Sequence, residues 1–164
     1  GLAIAESMIK EGMKVGIMGR NKESLESAAD YINSPNLLTI VSDVKEYSAT
    51  SDAIDRVVNK FGSLDVVIAN AGVGVFKDVD QLTIEDWLDT IDINLTGAFY
   101  TLKASVEELK KSKGYYITIA SLAGTNFFEK GAAYNASKFG LVGFTQAAML
   151  DLRKHDIKVS TIMP

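Results

Sequence analysis

The sequence of 164 residues has no cysteine, two prolines, one histidine and one tryptophan. Without cysteine there is no disulfide frame and no thiolate metal site, and an intracellular, cytoplasmic protein is the expectation. The single histidine, His155, follows Arg153-Lys154 at the end of a helical pattern, where a cation suits the helix C-terminus. It is read as a surface residue, which leaves no histidine base and no metal site. Basic clusters are missing too: the net charge is −4 and the isoelectric point about 5.0, which excludes a phosphate-backbone partner such as nucleic acid. No apolar run approaches the roughly 18 residues of a membrane span.

What the sequence does contain is enough apolar residues for a core. With 47% hydrophobic and 23% charged residues, residues 1–164 are expected to form a single domain. Helical and strand periodicities alternate along its whole length. Gly1 to Lys10 reads as a helix stopped at Gly12, and Lys14 to Met18 as a strand. Asn21 caps a helix running to about Ile32, Pro35 breaks the chain, and Leu37 to Val41 is a strand. Ser51 to Phe61 is helical up to Gly62, and Leu64 to Ala69 is a near-continuous apolar strand, as a parallel strand buried on both faces requires. Thr83 caps a helix from Ile84 to Ser112, long enough that a kink near Asn94 to Gly97 is expected. Tyr115 to Ser121 is a strand, Ala132 to Lys154 a helix, and Ile157 to Met163 a strand. This alternation predicts an α/β fold, a doubly wound parallel sheet with helices on both faces. Arg20, Asp43, Asn70 and Ser121 all fall just past strand ends, the rim where such sheets bind ligands.

Tyr134-Asn135-Ala136-Ser137-Lys138 carries the chemistry. Four residues is about one helical turn, so Tyr134 and Lys138 share a face. A lysine ammonium beside a phenol favours the phenolate and brings tyrosine toward use as a general acid or base. Taken alone the pair is common, and a lysine snorkelling past an aromatic is its ordinary explanation. Its company is less ordinary: Ser121 ends a buried strand, Asn70-Ala71-Gly72 follows another, and Asn94 lies inside a helix.

Together these residues resemble the short-chain dehydrogenase/reductase family, with its ketoacyl-type reductases nearest, over essentially the whole sequence. The resemblance implies a Rossmann-type fold and an oxidoreductase that interconverts a carbonyl and a secondary alcohol with a nicotinamide dinucleotide. It implies that Tyr134 protonates the carbonyl oxygen and Ser121 holds that oxygen. Lys138 would hold the nicotinamide ribose and acidify Tyr134, and Asn94 would kink its helix and order a water leading from Lys138. Along the cofactor it implies Gly1 as the last glycine of the glycine-rich turn, Asp43 and Val44 at the adenine, then Asn70, Ala71 and Gly72, and Pro164. Each has a plainer alternative: Ser121 can satisfy its own turn, Asn94 can face a neighbouring helix, and Asn70 to Gly72 can be only a tight turn.

Dinucleotide sites commonly place an acid after the second strand for an adenosine ribose, or an arginine nearby for the 2′-phosphate. Gly19 stands where the acid belongs and Arg20 follows it, so NADP(H) is expected over NAD(H). The family's first strand, with its glycine-rich turn, and its last strand lie outside these residues. A piece of a longer protein of roughly 230 to 260 residues is therefore expected. Gly74-Val75-Phe76 and Asn126-Phe127-Phe128 correspond to the substrate cleft and suggest a partly apolar small-molecule substrate, while Trp87 is read as packing. The resemblance also implies pairing of the two long helices, Ile84 to Ser112 and Ala132 to Lys154, in a homodimer or homotetramer. Gly97, Ala98, Ala136, Gly140 and Gly143 would allow it, although small residues equally serve packing within one chain. The alternatives are a non-catalytic dinucleotide sensor and a nucleotide-sugar epimerase or dehydratase; an intact tyrosine and lysine weigh against the first, the compact Asn70 and Asn94 setting against the second.

Overall fold

The computed structural model describes residues 1–164. Five parallel strands and six helices alternate: α1 (Leu2–Lys10), β1 (Val15–Gly19), α2 (Lys22–Ile32), β2 (Leu37–Val41), α3 (Tyr47–Phe61), β3 (Val66–Ala69), α4 (Ile84–Ile91), α5 (Gly97–Ser112), β4 (Tyr115–Ile119), α6 (Ala132–Leu152) and β5 (Lys158–Ile162). The strands form two sheets. β1 pairs with β2 in the register Val15 to Leu37, and β4 lies between β3 and β5, with Tyr115 opposite Val66 and Lys158. The α/β architecture with parallel strands and helices on both faces is the one expected.

Local chemistry explains the boundaries. Asn21 accepts a hydrogen bond from the Ser24 amide at 2.7 Å and so starts α2, while Gly12 and Gly62 end their helices at φ +82° and +90°. Thr83 and Asp86 form a reciprocal capping box at the start of α4. α3 begins at Tyr47, four residues before the expected Ser51, without a side-chain cap. Packing accounts for the extension: the Tyr47 ring meets Tyr100 edge-on at 5.6 Å, and Thr50 is fully buried. Between α4 and α5 the helix widens into a π-helical turn over Asp92–Thr96, the irregularity expected near Asn94.

The main apolar core fills the three-stranded half, where Leu109 of α5, Tyr116 of β4 and Leu141 of α6 are buried together. Burial pushes the Tyr116 phenol far up, and its hydroxyl donates to the Ala98 carbonyl at 2.7 Å. Between β1 and β3 lies a cavity of about 550 Å³. Val15–Met18 and Val66–Ala69 form its walls; Met8 of α1 covers one side and Ala98 of α5 the other. Each flanking strand is paired on one side only. This is the arrangement of a doubly wound sheet opened at its middle.

Three small residues expected at a subunit interface are engaged within the chain. A Cβ on Gly97 would lie 2.9 Å from the Val44 side chain, and one on Gly140 would lie 2.8 Å from Leu95. Ala98 is buried under Tyr116. Gly143 alone of the three glycines faces open space.

Candidate active site

The carboxyl ends of the strands bring the expected residues to one rim. Past β1, the Arg20 guanidinium lies 3.9 Å from the Asp43 carboxylate past β2. Asp43 also accepts from the Lys45 amide at 3.0 Å, and the Lys45 ammonium is 2.8 Å from Asp89 of α4. The Asp89 carboxylate holds Lys45 above the usual lysine range. These contacts fix the turn carrying Val44, which rests on Gly97. A concavity of about 370 Å³ opens beside Arg20, lined by Gly1, Asn21 and Ser24. Ser24 did not stand out in the sequence, because one serine in a first helical turn is unremarked without its neighbours.

Past β3, the Asn70 side chain approaches Gly1, where an added Cβ would be 3.3 Å from Asn70 Nδ2. The chain then turns through Ala71 and Gly72. A Cβ on Gly72 would sit 3.4 Å from Asn94 Oδ1 and 3.6 Å from Lys138 Nζ, ordinary contact distances that place this turn directly beside both side chains. Asn94 is almost wholly buried, and its carboxamide brackets Val73: Oδ1 accepts from the Val73 amide at 2.7 Å and Nδ2 donates to the Val73 carbonyl at 2.8 Å. Nδ2 also donates to Ser137 Oγ at 2.9 Å. Asn94 therefore sits at the helix irregularity and fastens the Asn70 to Val73 turn to α6.

Ser121 follows β4 and accepts from the Ala123 amide at 3.1 Å, which starts a short 3₁₀ turn, Leu122–Gly124. That bond orients Oγ while its own proton has no acceptor in the chain. Pro164, after β5, accepts from the Leu122 amide at 3.1 Å and so lies against the same loop. On α6, Lys138 Nζ is 5.6 Å from the centre of the Tyr134 ring, one turn away as the spacing requires. Lys138 is 4% exposed and donates a single hydrogen bond, to the Ile119 carbonyl at 2.9 Å. An ammonium carries three hydrogens, so two remain for a ligand.

Two polar residues inside the Tyr134 to Lys138 segment have roles the sequence did not single out. Ser137 joins Asn94 to the Tyr134 carbonyl. Buried Asn135 donates to the Ala123 and Asn126 carbonyls and accepts from the Phe128 amide, pinning the loop after Ser121. Their signal was burial of polar groups on an otherwise apolar helix face, which becomes visible only once the neighbours are in place.

Comparison with known proteins matches the short chain dehydrogenase family to residues 1–164. The chain belongs to the short-chain dehydrogenases. An uncharacterized oxidoreductase of Staphylococcus aureus is 32% identical over the whole chain and 71% of its own length. A trans-4-hydroxycyclohexanecarboxylate dehydrogenase of Sinomonas cyclohexanicum is 38% identical over 74% of the chain and 47% of its own. Among solved structures, an NAD⁺-bound xylitol dehydrogenase superposes with TM-score 0.95 at 33% identity, over the whole chain and 65% of its own. An alcohol dehydrogenase of Thermococcus sibiricus, complexed with 5-hydroxy-NADP, gives 0.94 at 26%, over the whole chain and 70% of its own. As a short-chain dehydrogenase the protein is a nicotinamide-dinucleotide-dependent oxidoreductase acting on the CH–OH/C=O couple. The residues present fit such a cofactor: Lys138 keeps two donors free beside Gly72, and Arg20, Asn21 and Ser24 border a concavity at the other end of the rim.

Burial pushes the Lys138 ammonium below the usual lysine range. The charged form is therefore disfavoured in the fold, and the penalty is complete below the folded pKa. It fades as pH rises toward the ordinary lysine value, because the unfolded chain then binds more protons than the native one. Thermal unfolding of wild type and Lys138→Met should thus diverge with pH. Wild type gains stability relative to the variant as pH rises from the folded pKa of Lys138 toward the ordinary lysine value, and the difference is constant below that folded pKa. A difference independent of pH throughout would contradict a charged, buried Lys138.

Proposed function

We propose that this short-chain dehydrogenase is an NADP(H)-preferring reductase of a carbonyl to a secondary alcohol, with Tyr134 as the proton donor. The observation that carries the reading is the Tyr134–Lys138 pair on one turn of α6, with Ser121 just past the end of β4 and the Gly72 turn beside Lys138. When bound, NADPH would supply a hydride to the carbonyl carbon. As that carbon gains electrons, charge develops on the oxygen, which needs a donor aimed at it and a proton. Ser121, its Oγ oriented by the Ala123 amide, donates to the oxygen. Tyr134 delivers the proton, and the Lys138 ammonium stabilises the phenolate left behind. Lys138 also binds ribose hydroxyls through its uncommitted hydrogens. Asn94 and Ser137 keep the Gly72 turn and α6 in register.

Arg20, Asn21 and Ser24 are assigned to the 2′-phosphate, Asp43 and Val44 to the adenine, and Gly1, Asn70, Ala71, Gly72 and Pro164 to the remaining length of the cofactor. Residues 1–164 are read as one dinucleotide-binding unit, its sheet completed by a strand in the cavity between β1 and β3. Exposed Phe99, Phe139 and Leu150 on α5 and α6 favour pairing of two copies through these helices. No helix is long and apolar enough to cross a membrane, and a cytoplasmic location is proposed. The experiment is assay of the full-length protein for NADPH consumption with ketones, alongside NADPH affinity. Turnover supports the reading; NADPH binding without turnover of any carbonyl points instead to a sensor.

A further inference from the structure

Around Tyr134 the chain builds an aromatic wall from two separate loops. The Phe76 ring meets Tyr134 edge-on at 5.5 Å, Phe128 lies 6.4 Å from Tyr134, and the two phenylalanines are 5.8 Å apart. The wall is prepared by the backbone. A Cβ on Gly74 would fall 2.7 Å from the Phe76 ring, and one on Gly131 would fall 2.7 Å from the Phe128 ring. Each ring thus occupies space that only glycine leaves open. The Lys77 amide donates to the Lys130 carbonyl at 3.1 Å, joining the two loops beside their rings. Asn135 holds the Phe128 amide from beneath. The rings nonetheless keep about half of their surface open, 55% for Phe76 and 47% for Phe128. Large apolar rings held in place yet left uncovered beside a reactive hydroxyl are an apolar binding surface.

Charge on the two loops narrows the ligand. Lys77 is 2.6 Å from Asp86, while Lys130 lies 3.7 Å from Asp78 in a loose surface pair, both side chains 55% exposed. The other charged groups of these loops, Asp80 and Glu129, are carboxylates and have no ion-pair partner. The polar side chains at the loop tip satisfy one another: Asn126 donates to Thr125, and Thr125 to the Leu122 carbonyl. On these loops the carboxylates Asp78, Asp80 and Glu129 outnumber the ammoniums Lys77 and Lys130, so an anionic substrate would meet net negative charge. A polyhydroxylated one would set its hydroxyls against aromatic carbon, where unpaired polar groups are costly.

We propose that the site selects neutral, ring-bearing apolar ketones and their alcohols, the ring packing on Phe76 and Phe128 while the oxygen faces Tyr134. This rests on the carbonyl-reductase reading above. In the reduction the carbonyl carbon gains a hydride and its oxygen the Tyr134 proton, with NADPH oxidised to NADP⁺ and Tyr134 reprotonated from solvent. Phe76 and Phe128 act as specificity-determining residues without touching the proton transfer.

The test uses the full-length protein, NADPH and three substrates: 4-methylcyclohexanone, its anionic counterpart 4-oxocyclohexanecarboxylate, and the ketose xylulose. The expected result is a kcat/KM for the neutral ring at least about tenfold above either of the others. Phe76→Ala and Phe128→Ala should each raise its KM by about tenfold with kcat and NADPH affinity little changed, and Phe128→Leu should restore most of the loss. Equal or better use of the carboxylate or the ketose overturns the proposal. Should no ketone be reduced, the reductase reading fails, and binding alone decides the present one. Calorimetry with 4-methylcyclohexanol in the presence of NADP⁺ should then show binding that weakens in both alanine variants. Binding that is absent, or unaltered by them, overturns it.

Discussion

Replacing Tyr134 with phenylalanine should lower kcat by about 10²- to 10⁴-fold while NADPH affinity stays within about twofold. The substitution removes one oxygen and keeps the ring, so the edge-on contact with Phe76 at 5.5 Å and the neighbouring Phe128 survive. The change should therefore fall on proton transfer alone. General acid catalysis by a positioned side chain contributes on this order, and no histidine stands by to replace it, since His155 lies in a 3₁₀ turn beyond the far end of α6. Steady-state kinetics and a fluorescence titration with NADPH, run on one preparation, separate the two quantities. Turnover that survives within a few-fold would remove Tyr134 from the reaction. Loss of NADPH binding in parallel with turnover would make the tyrosine a structural element of the cofactor site.

The second large effect should come from Arg20. Arg20→Ala is expected to weaken NADPH binding by about 10- to 100-fold and to leave NADH within about twofold, since a hydrogen bond to a charged group contributes about 1.5–3 kcal/mol. Stability should barely change. The Arg20–Asp43 pair is 3.9 Å long and its guanidinium side is 55% exposed, and surface ion pairs of that kind contribute little. The guanidinium is thereby left to meet a phosphate beside Asn21 and Ser24. Adding Gly19→Asp should reverse the preference, because a carboxylate at the end of β1 repels a 2′-phosphate and accepts from ribose hydroxyls. Calorimetric titration of each variant with both cofactors checks this. Equal weakening of both in Arg20→Ala would show that Arg20 supports the fold of the rim rather than reading the phosphate.

How far the sequence alone reached depended on the range of the interactions involved. The caps at Asn21 and Thr83 and the glycine stops at Gly12 and Gly62 are local chemistry, and they were legible. The irregular helix turn at Asn94 was legible through the excessive length of the pattern around it. The start of α3 was not, because Tyr47 owes its helical state to Tyr100, more than fifty residues away in sequence. Gly97 and Gly140 carry the same lesson. A small residue permits close approach, but the sequence does not say to what, and here the partners are Val44 and Leu95 of the same chain. In the site, the rim placement of Arg20, Asp43, Asn70 and Ser121 followed from strand ends. The braces Asn135 and Ser137, and the wall of Phe76 and Phe128, arise where loops distant in sequence converge.

The most direct measurement follows a single hydrogen. NADPH labelled with deuterium at the transferable position of the nicotinamide is incubated with the full-length protein and 4-methylcyclohexanone, and the alcohol is examined by NMR. Deuterium on the carbinol carbon, formed by wild type and lost together with turnover in Tyr134→Phe, is the predicted result. Alcohol formed with only solvent hydrogen on that carbon would contradict direct hydride transfer at the rim held by Ser121, Tyr134 and Lys138.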